Sequence, residues 1–203
     1  MKVAVNIGLW LLVIILSYMV YDSIASKIDF EDETKRRREI VIEKLKDIRT
    51  AQLAFKSVND RYAKTFKDLL SFVKRDSFPV IMAMGSVPDT LSEEEAVKMG
   101  LVTRDTMYLN VKDSIYSPSY LKGRKSVFYI DSLPYIPFGQ GSVFDFDAGE
   151  VEKSKVKVKV FEVFASFEKI YLGLNTENES VDLGDGLRVG SMSEPSTSGN
   201  WGE

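Results

Sequence analysis

The residues that could do chemistry in this chain are few, and what is missing narrows them further. Asp145-Phe146-Asp147 would set two carboxylates on one side of a strand, a geometry suited to a divalent cation or to a sugar-nucleotide enzyme. Two acids are too few for a calcium site, which wants six or more oxygens. Asp182-Leu183-Gly184-Asp185-Gly186 offers a second acidic pair and reads equally well as a tight turn. Lys155-Val156-Lys157-Val158-Lys159-Val160 alternates strictly, with one valine face and one lysine face. That face could meet an anionic glycan or lipid, although a solvated outer surface explains it as well. The chain contains no His and no Cys. Ser-His-Asp and Cys-His relays, ordinary zinc sites and disulfides are therefore excluded, and only carboxylate pairs, Ser-Lys dyads and Tyr remain for catalysis. The reading is a non-enzyme with no cofactor and no metal.

A short repeat carries a different chemistry. Asp, then Ser or Thr, then an aliphatic residue or Met occurs at 22–24, 89–91, 105–107, 113–115 and 131–133. Residue frequencies predict about one such match by chance. The tripeptide resembles the acceptor motif for O-linked glycosylation in the Bacteroidota, which implies Ser23, Thr90, Thr106, Ser114 and Ser132 as acceptors on an extracytoplasmic protein. Asp-Ser and Asp-Thr pairs are also good turn and cap formers, which is the competing explanation. Asn178-Glu179-Ser180 fits the N-glycosylation sequon as a single match.

What positions any of these residues is a membrane anchor. Val3 to Tyr21 is free of charge for nineteen residues, about 28 Å of helix, close to the hydrocarbon thickness of a bilayer. Ser23-Ile24-Ala25 offers a signal-peptide cleavage site as the alternative, but the apolar run is longer than the usual 7 to 15 residue h-region. Lys27, Lys35, Arg36, Arg37 and Arg38 follow the anchor while only Lys2 precedes it, so the positive-inside rule favours a cytoplasmic body. The glycosylation repeat favours a periplasmic one, and the periplasmic reading is preferred. Net charge is −3, so nothing in the composition suits nucleic acid.

Beyond the anchor, Val41, Leu45, Ile48, Gln52 and Phe55 fall in 4-3-4-3 steps with Ala51 beside them, giving one face of a helix. That stripe packs either on its own domain or on a partner helix, by self-association or with another envelope protein. The KRRR run at 35–38 reads as a solvated charged face.

The stretch Leu45-Lys46-Asp47-Ile48-Arg49-Thr50-Ala51-Gln52-Leu53-Ala54-Phe55, followed by Asn59-Asp60-Arg61-Tyr62-Ala63, resembles the second half of the first helix in type IV pilins and type II secretion pseudopilins. The resemblance covers roughly the first 75 residues and implies a long helix packed on a small β-sheet. It departs from that family in having no basic leader ending in Gly before Phe, and no Glu at the fifth position of a mature apolar segment. The whole chain, including Val87-Pro88-Asp89, Asp131 to Phe138 and Val158 to Glu162, also resembles an uncharacterised family of single-pass Bacteroidota envelope proteins, which brings no activity with it.

The remaining chain divides at Gly100. Phe66 to Val73 and Ser92 to Gly100 read as short helices, the second with Ser92 and Glu95 as a capping box. Leu101 to Val111, Val127 to Ile130, Val143 to Asp147, Lys155 to Ala165 and Lys169 to Leu174 read as strands. The expectation is an α+β protein: anchor 3–21, helical stalk 22–58, soluble antiparallel domain 59–190 and a flexible polar tail 191–203. Its role would be a structural or assembly subunit of a cell-envelope machine in the inner membrane. A tethered periplasmic module for glycan, peptide or lipid is the alternative.

Overall fold

The structure is a computed structural model that describes residues 2–85, 92–99, 101–176 and 179–202. It is α+β, as the pattern predicts. A single helix, α1 (Lys2–Asn59), carries both the apolar run and the stalk. No Pro interrupts it, and at about 1.5 Å per residue it is roughly 87 Å long. Its two halves bury differently. The large apolar residues from Ile7 to Ile28 are exposed on every side, whereas Val41, Leu45, Ile48 and Ala51 are fully buried. The helix is long and apolar enough near its start to cross a membrane.

Asp60 takes the left-handed conformation (φ 49°) just after Asn59, where α1 ends. Its N–H closes back on the Lys56 carbonyl at 2.9 Å. Asp tolerates this region better than most residues with a Cβ, and the aspartate pairs with Lys159 on the sheet.

The helix α2 (Phe66–Arg75) starts at Thr65, whose side chain accepts from the Asp68 N–H at 3.1 Å, and buries Leu69, Phe72 and Val73. Two separate antiparallel sheets follow. The first is the hairpin of β1 (Ser77–Gly85) and β2 (Val102–Asn110), with helix α3 (Glu93–Lys98) in its connection. Ser92 and Glu95 form the expected capping box. The short helix α4 (Val111–Ile115) leads into a loop and a 3-10 turn at Ile130–Ser132.

The second sheet holds β3 (Asp145–Lys153), β4 (Val156–Ser166) and β5 (Gly186–Gly190), with β4 central. The core lies between this sheet, α2 and the second half of α1, joining Leu45 and Phe55 to Phe161, Val163 and Val189.

Several expectations fail for physical reasons. β1 lies outside the expected strands and carries Pro79 within its run. Sheets accept proline at a free edge, and β1 has one. Lys169 to Leu174 is not a strand: helix α5 (Phe167–Ile170) and a turn through Gly173 (φ 82°) bury Ile170 and Tyr171 instead. Val127 to Ile130 is not a strand: residues 127–129 are irregular, Ile130 opens the 3-10 turn, and Phe128 packs on Tyr116 at 4.4 Å between ring centroids.

β5 hides between glycines. A Cβ at Gly186 would lie 2.0 Å from the Ala165 carbonyl oxygen, so only glycine lets the two strands approach. The valine face of β4 is buried only at Val160, because the β3–β4 hairpin runs on past the core and leaves Val156 60% exposed. Its tip, Ser154-Lys155, has positive φ at both residues, as a two-residue type I′ turn requires.

The end of the tail is docked, which corrects the flexible reading for Ser198 to Trp201. The Gly190 N–H donates to Ser198 O at 3.0 Å and the Asn200 N–H to Arg188 O at 3.2 Å, while Asn200 Nδ2 reaches Gly186 O at 2.8 Å. Trp201 packs against the core.

Candidate functional site

The side chains with the most specific geometry are gathered along the seam where α1 meets its own domain. The predicted stripe lies there. Val41, Leu45, Ile48 and Gln52 are fully buried, and Phe55 is 5% exposed and edge-on to Phe72 at 5.1 Å. This face is occupied within the chain, so these five residues are not a surface for a partner helix. The physical reason is that the sheet and α2 cover the stripe that the 3.6-residue period creates.

Gln52 does more than fill space. Its Nε2 donates to Ala63 O at 3.0 Å, and its Oε1 accepts from Ala63 N–H at 2.9 Å. The chain that leaves the helix is thereby bonded back to it.

One turn earlier, Asp47 is buried and receives a forked bond from Arg124, at 2.8 Å to Oδ1 and 2.6 Å to Oδ2. The Tyr120 hydroxyl adds a bond to Oδ1 at 3.1 Å, and the Tyr116 hydroxyl donates to the Asp47 carbonyl at 2.8 Å. Burial pushes the Asp47 carboxyl above the usual carboxylate range, against the pull of Arg124 and Tyr120. Its bond to Asp47 in turn holds the Arg124 guanidinium up.

Next to this cluster, Lys44 Nζ donates to Ser132 O at 2.6 Å, Tyr135 O at 3.1 Å and Ser132 Oγ at 3.2 Å. Burial lowers its amine to about 8. Glu43 accepts from the Lys125 N–H and the Ser126 hydroxyl, both at 2.8 Å. The loop after α4 is thus strapped across α1 by Glu43, Lys44 and Asp47 together.

Toward the apolar end of α1, the basic run proves to be part of the seam. Arg37 Nη1 donates to the carbonyls of Ile170 (3.1 Å) and Leu172 (3.0 Å), and its guanidinium lies 4.8 Å from the Phe138 ring centre. Arg38 bonds the Tyr171 hydroxyl and lies 4.7 Å from the Phe167 ring centre. Glu33 steadies the row by pairing with Arg36 and Arg37, which pull its carboxyl down to about 2. The solvated reading of the run therefore holds poorly for Arg37, whose side chain is only 13% exposed. The available signal was its position four residues, about one helical turn, before Val41 at the start of the buried stripe.

A groove of about 870 Å³ opens beside this end, walled by Phe30, Thr34, Arg38 and Ile42 on α1 and by Leu187 and Trp201 opposite. Its lining mixes Lys27, Lys35 and Arg38 with Glu31, Glu39, Glu179 and Asp185, so it carries no single sign of charge.

The candidate metal and polyanion residues are dispersed. Asp145 pairs with Lys169 at 3.1 Å, and Asp147 Oδ1 accepts from the following Ala148 N–H at 2.8 Å. Among the described residues no three acidic, His or Cys side chains cluster as metal ligands. Asp182 makes a turn, accepting from the Gly184 N–H at 2.9 Å. The lysine face of β4 is matched across the sheet, with Glu150 opposite Lys159 and Glu152 opposite Lys157.

The five acceptor candidates differ in setting. Ser23 lies within α1 and Thr106 at the centre of β2. Ser114 is exposed on α4, its hydroxyl bonded to Asn110 O at 3.0 Å. Ser132 is half-buried under Lys44, and its hydroxyl donates to Tyr129 O at 2.8 Å. Thr90 and the sequon residue Asn178 lie outside the described residues.

No protein-family model, curated protein or solved structure matches the chain.

Proposed function

We propose that this protein is a membrane-anchored structural or assembly subunit of a bacterial cell envelope, with its body in the periplasm, acting through protein contacts rather than chemistry. The observation that carries the reading is the division of α1. Its first half exposes apolar residues on all sides, as a helix in lipid requires, and its second half is the core of the domain it carries. The forked Asp47–Arg124 bond and the Arg37 and Arg38 contacts fix the domain rigidly to that helix. Such a rigid mount transmits position between the bilayer and whatever the domain touches. The Asp-Ser/Thr repeat supports the periplasmic side.

The second reading is a tethered binding module, and the groove beside Trp201 is the observation that favours it. Mild solubilisation of native membranes, purification by a tag and mass spectrometry of the eluate separate the two. Stoichiometric envelope proteins, with glycan on at least one of the Asp-Ser/Thr sites, support assembly. A lone chain carrying a small molecule supports the binding module. Recovery without detergent, or cytoplasmic partners on an unmodified chain, sinks the proposed placement.

A further inference from the structure

The hairpin β1–β2 stands apart from the three-stranded sheet, and two strands alone are marginally stable in water. Residues 107–110 are all exposed, with Met107 at 46% and Leu109 at 44%. The hydrogen-bonding parity of its two edges follows from one bond. Val111 N–H donates to Asp76 O at 3.1 Å, so in the observed register Phe78, Val80, Met82 and Met84 exchange ladder bonds with Leu109, Met107, Asp105 and Thr103. The backbone groups of Pro79, Ile81 and Ala83 then face outward on β1, and those of Arg104, Thr106 and Tyr108 face outward on β2. Pro79 has no N–H, so the β1 edge is interrupted as a template for another strand. The β2 edge keeps every donor.

We propose that β2 pairs through this edge with β2 of a second copy of the chain, across a two-fold axis at Thr106, forming a four-stranded sheet in the order β1–β2–β2–β1. This deepens the assembly reading by naming one partner. A two-fold antiparallel pairing is centred on a residue. Thr106 is the middle of the nine residues of β2, so this centre gives full overlap. It sets Arg104 opposite Tyr108, Asp105 opposite Met107 and Thr103 opposite Leu109, with no like charges facing. Moving the centre to Asp105 opposes two aspartates, and moving it to Arg104 opposes two arginines, which disfavours both. The register of greatest overlap is therefore also free of like-charge pairs. With four strands the arm passes the three that independent stability needs.

The chain has no cysteine, so Thr106→Cys introduces a single thiol. Across a hydrogen-bonded pair the two Cα atoms would lie about 5.5 Å apart, within disulfide reach. The full chain in dodecyl maltoside, oxidised with copper phenanthroline, is expected to cross-link at Thr106→Cys at least ten-fold more than at Met107→Cys or Tyr108→Cys. Thr106→Pro removes an outward N–H and leaves the β1–β2 ladder intact. It is expected to halve the native mass, from two 22.9 kDa chains to one, with unchanged circular dichroism. A monomeric wild-type chain, equal cross-linking at all three positions, or glycan on Thr106 of the native protein would overturn the pairing. A monomer that still copurifies with envelope proteins overturns the pairing alone and leaves the assembly reading standing.

Discussion

Gln52 and Ala63 are eleven residues apart and hold each other through both backbone groups of Ala63, at 3.0 and 2.9 Å, in a fully buried setting. Leucine at 52 would fill the space and leave a buried N–H and a buried carbonyl without partners. Each unsatisfied group costs about 1–3 kcal/mol, so Gln52→Leu is expected to lower stability by roughly 3 kcal/mol in urea unfolding. A loss under about 0.5 kcal/mol, no more than an ordinary surface substitution, would show that the ring is not a structural tie.

Arg124 and Asp47 give a second, sharper test. Removing the guanidinium strands a carboxylate that is 1% exposed, and breaking a buried pair in this way typically costs about 3–5 kcal/mol. Arg124→Met is expected to fall in that range. Adding Asp47→Leu should recover much of the loss, because no charge is then left buried. A double-mutant cycle in which the two changes simply add would contradict the coupling.

The parts of this seam differ in how they show in the sequence. Val41, Leu45 and Ile48 were legible because a helix buries one face at a 3.6-residue period. Arg37 and Arg38 were not, since four consecutive basic residues look like a solvated surface whether or not aromatic rings lie under them. Phe138, Phe167 and Tyr171, which receive those cations, come from loops and a one-turn helix more than 99 residues downstream, and no local pattern points there. Asp47 lies next to the stripe residue Ile48, but its partner Arg124 comes from a loop without regular structure. The tail misled for a related reason: its composition is polar, and its docking depends on one asparagine and one tryptophan.

Lys44 makes a pH-dependent prediction. Its folded value is about 8 against 10.5 unfolded, so between those values the unfolded chain binds more protons and stability rises with pH. Below about 8 both states are protonated and this contribution is flat. Tyr116 and Tyr120 act in the opposite sense, since burial raises both and their contribution falls as pH passes the ordinary tyrosine value. The comparison must therefore be between wild type and Lys44→Met in the same buffers. The wild-type midpoint in urea is expected to gain on the variant from pH 8 to 10. A constant difference over that range would show that Lys44 titrates normally.

Gly199 and Trp201 test whether the tail is truly a part of the domain. A Cβ at Gly199 would lie 2.3 Å from the Trp201 ring, closer than any side-chain contact allows, so Gly199→Ala must move the indole, the backbone or both. The indole Nε1 is buried without a partner, so its docking rests on packing and on the Asn200 bonds to β5. Gly199→Ala is accordingly expected to release residues 191–202 while the core, built on Leu45, Phe55 and Phe161, stays folded. Limited proteolysis would then remove the tail at least ten-fold faster than in wild type, and the fluorescence of Trp201 would shift to the red as it meets water. The second tryptophan, Trp10, lies in the apolar run and would mask that shift, so the measurement belongs in a Trp10→Phe background. Equally fast cleavage of both proteins would mean that the tail is already released in wild type, and equally slow cleavage that the indole shifts to accept the methyl group without undocking.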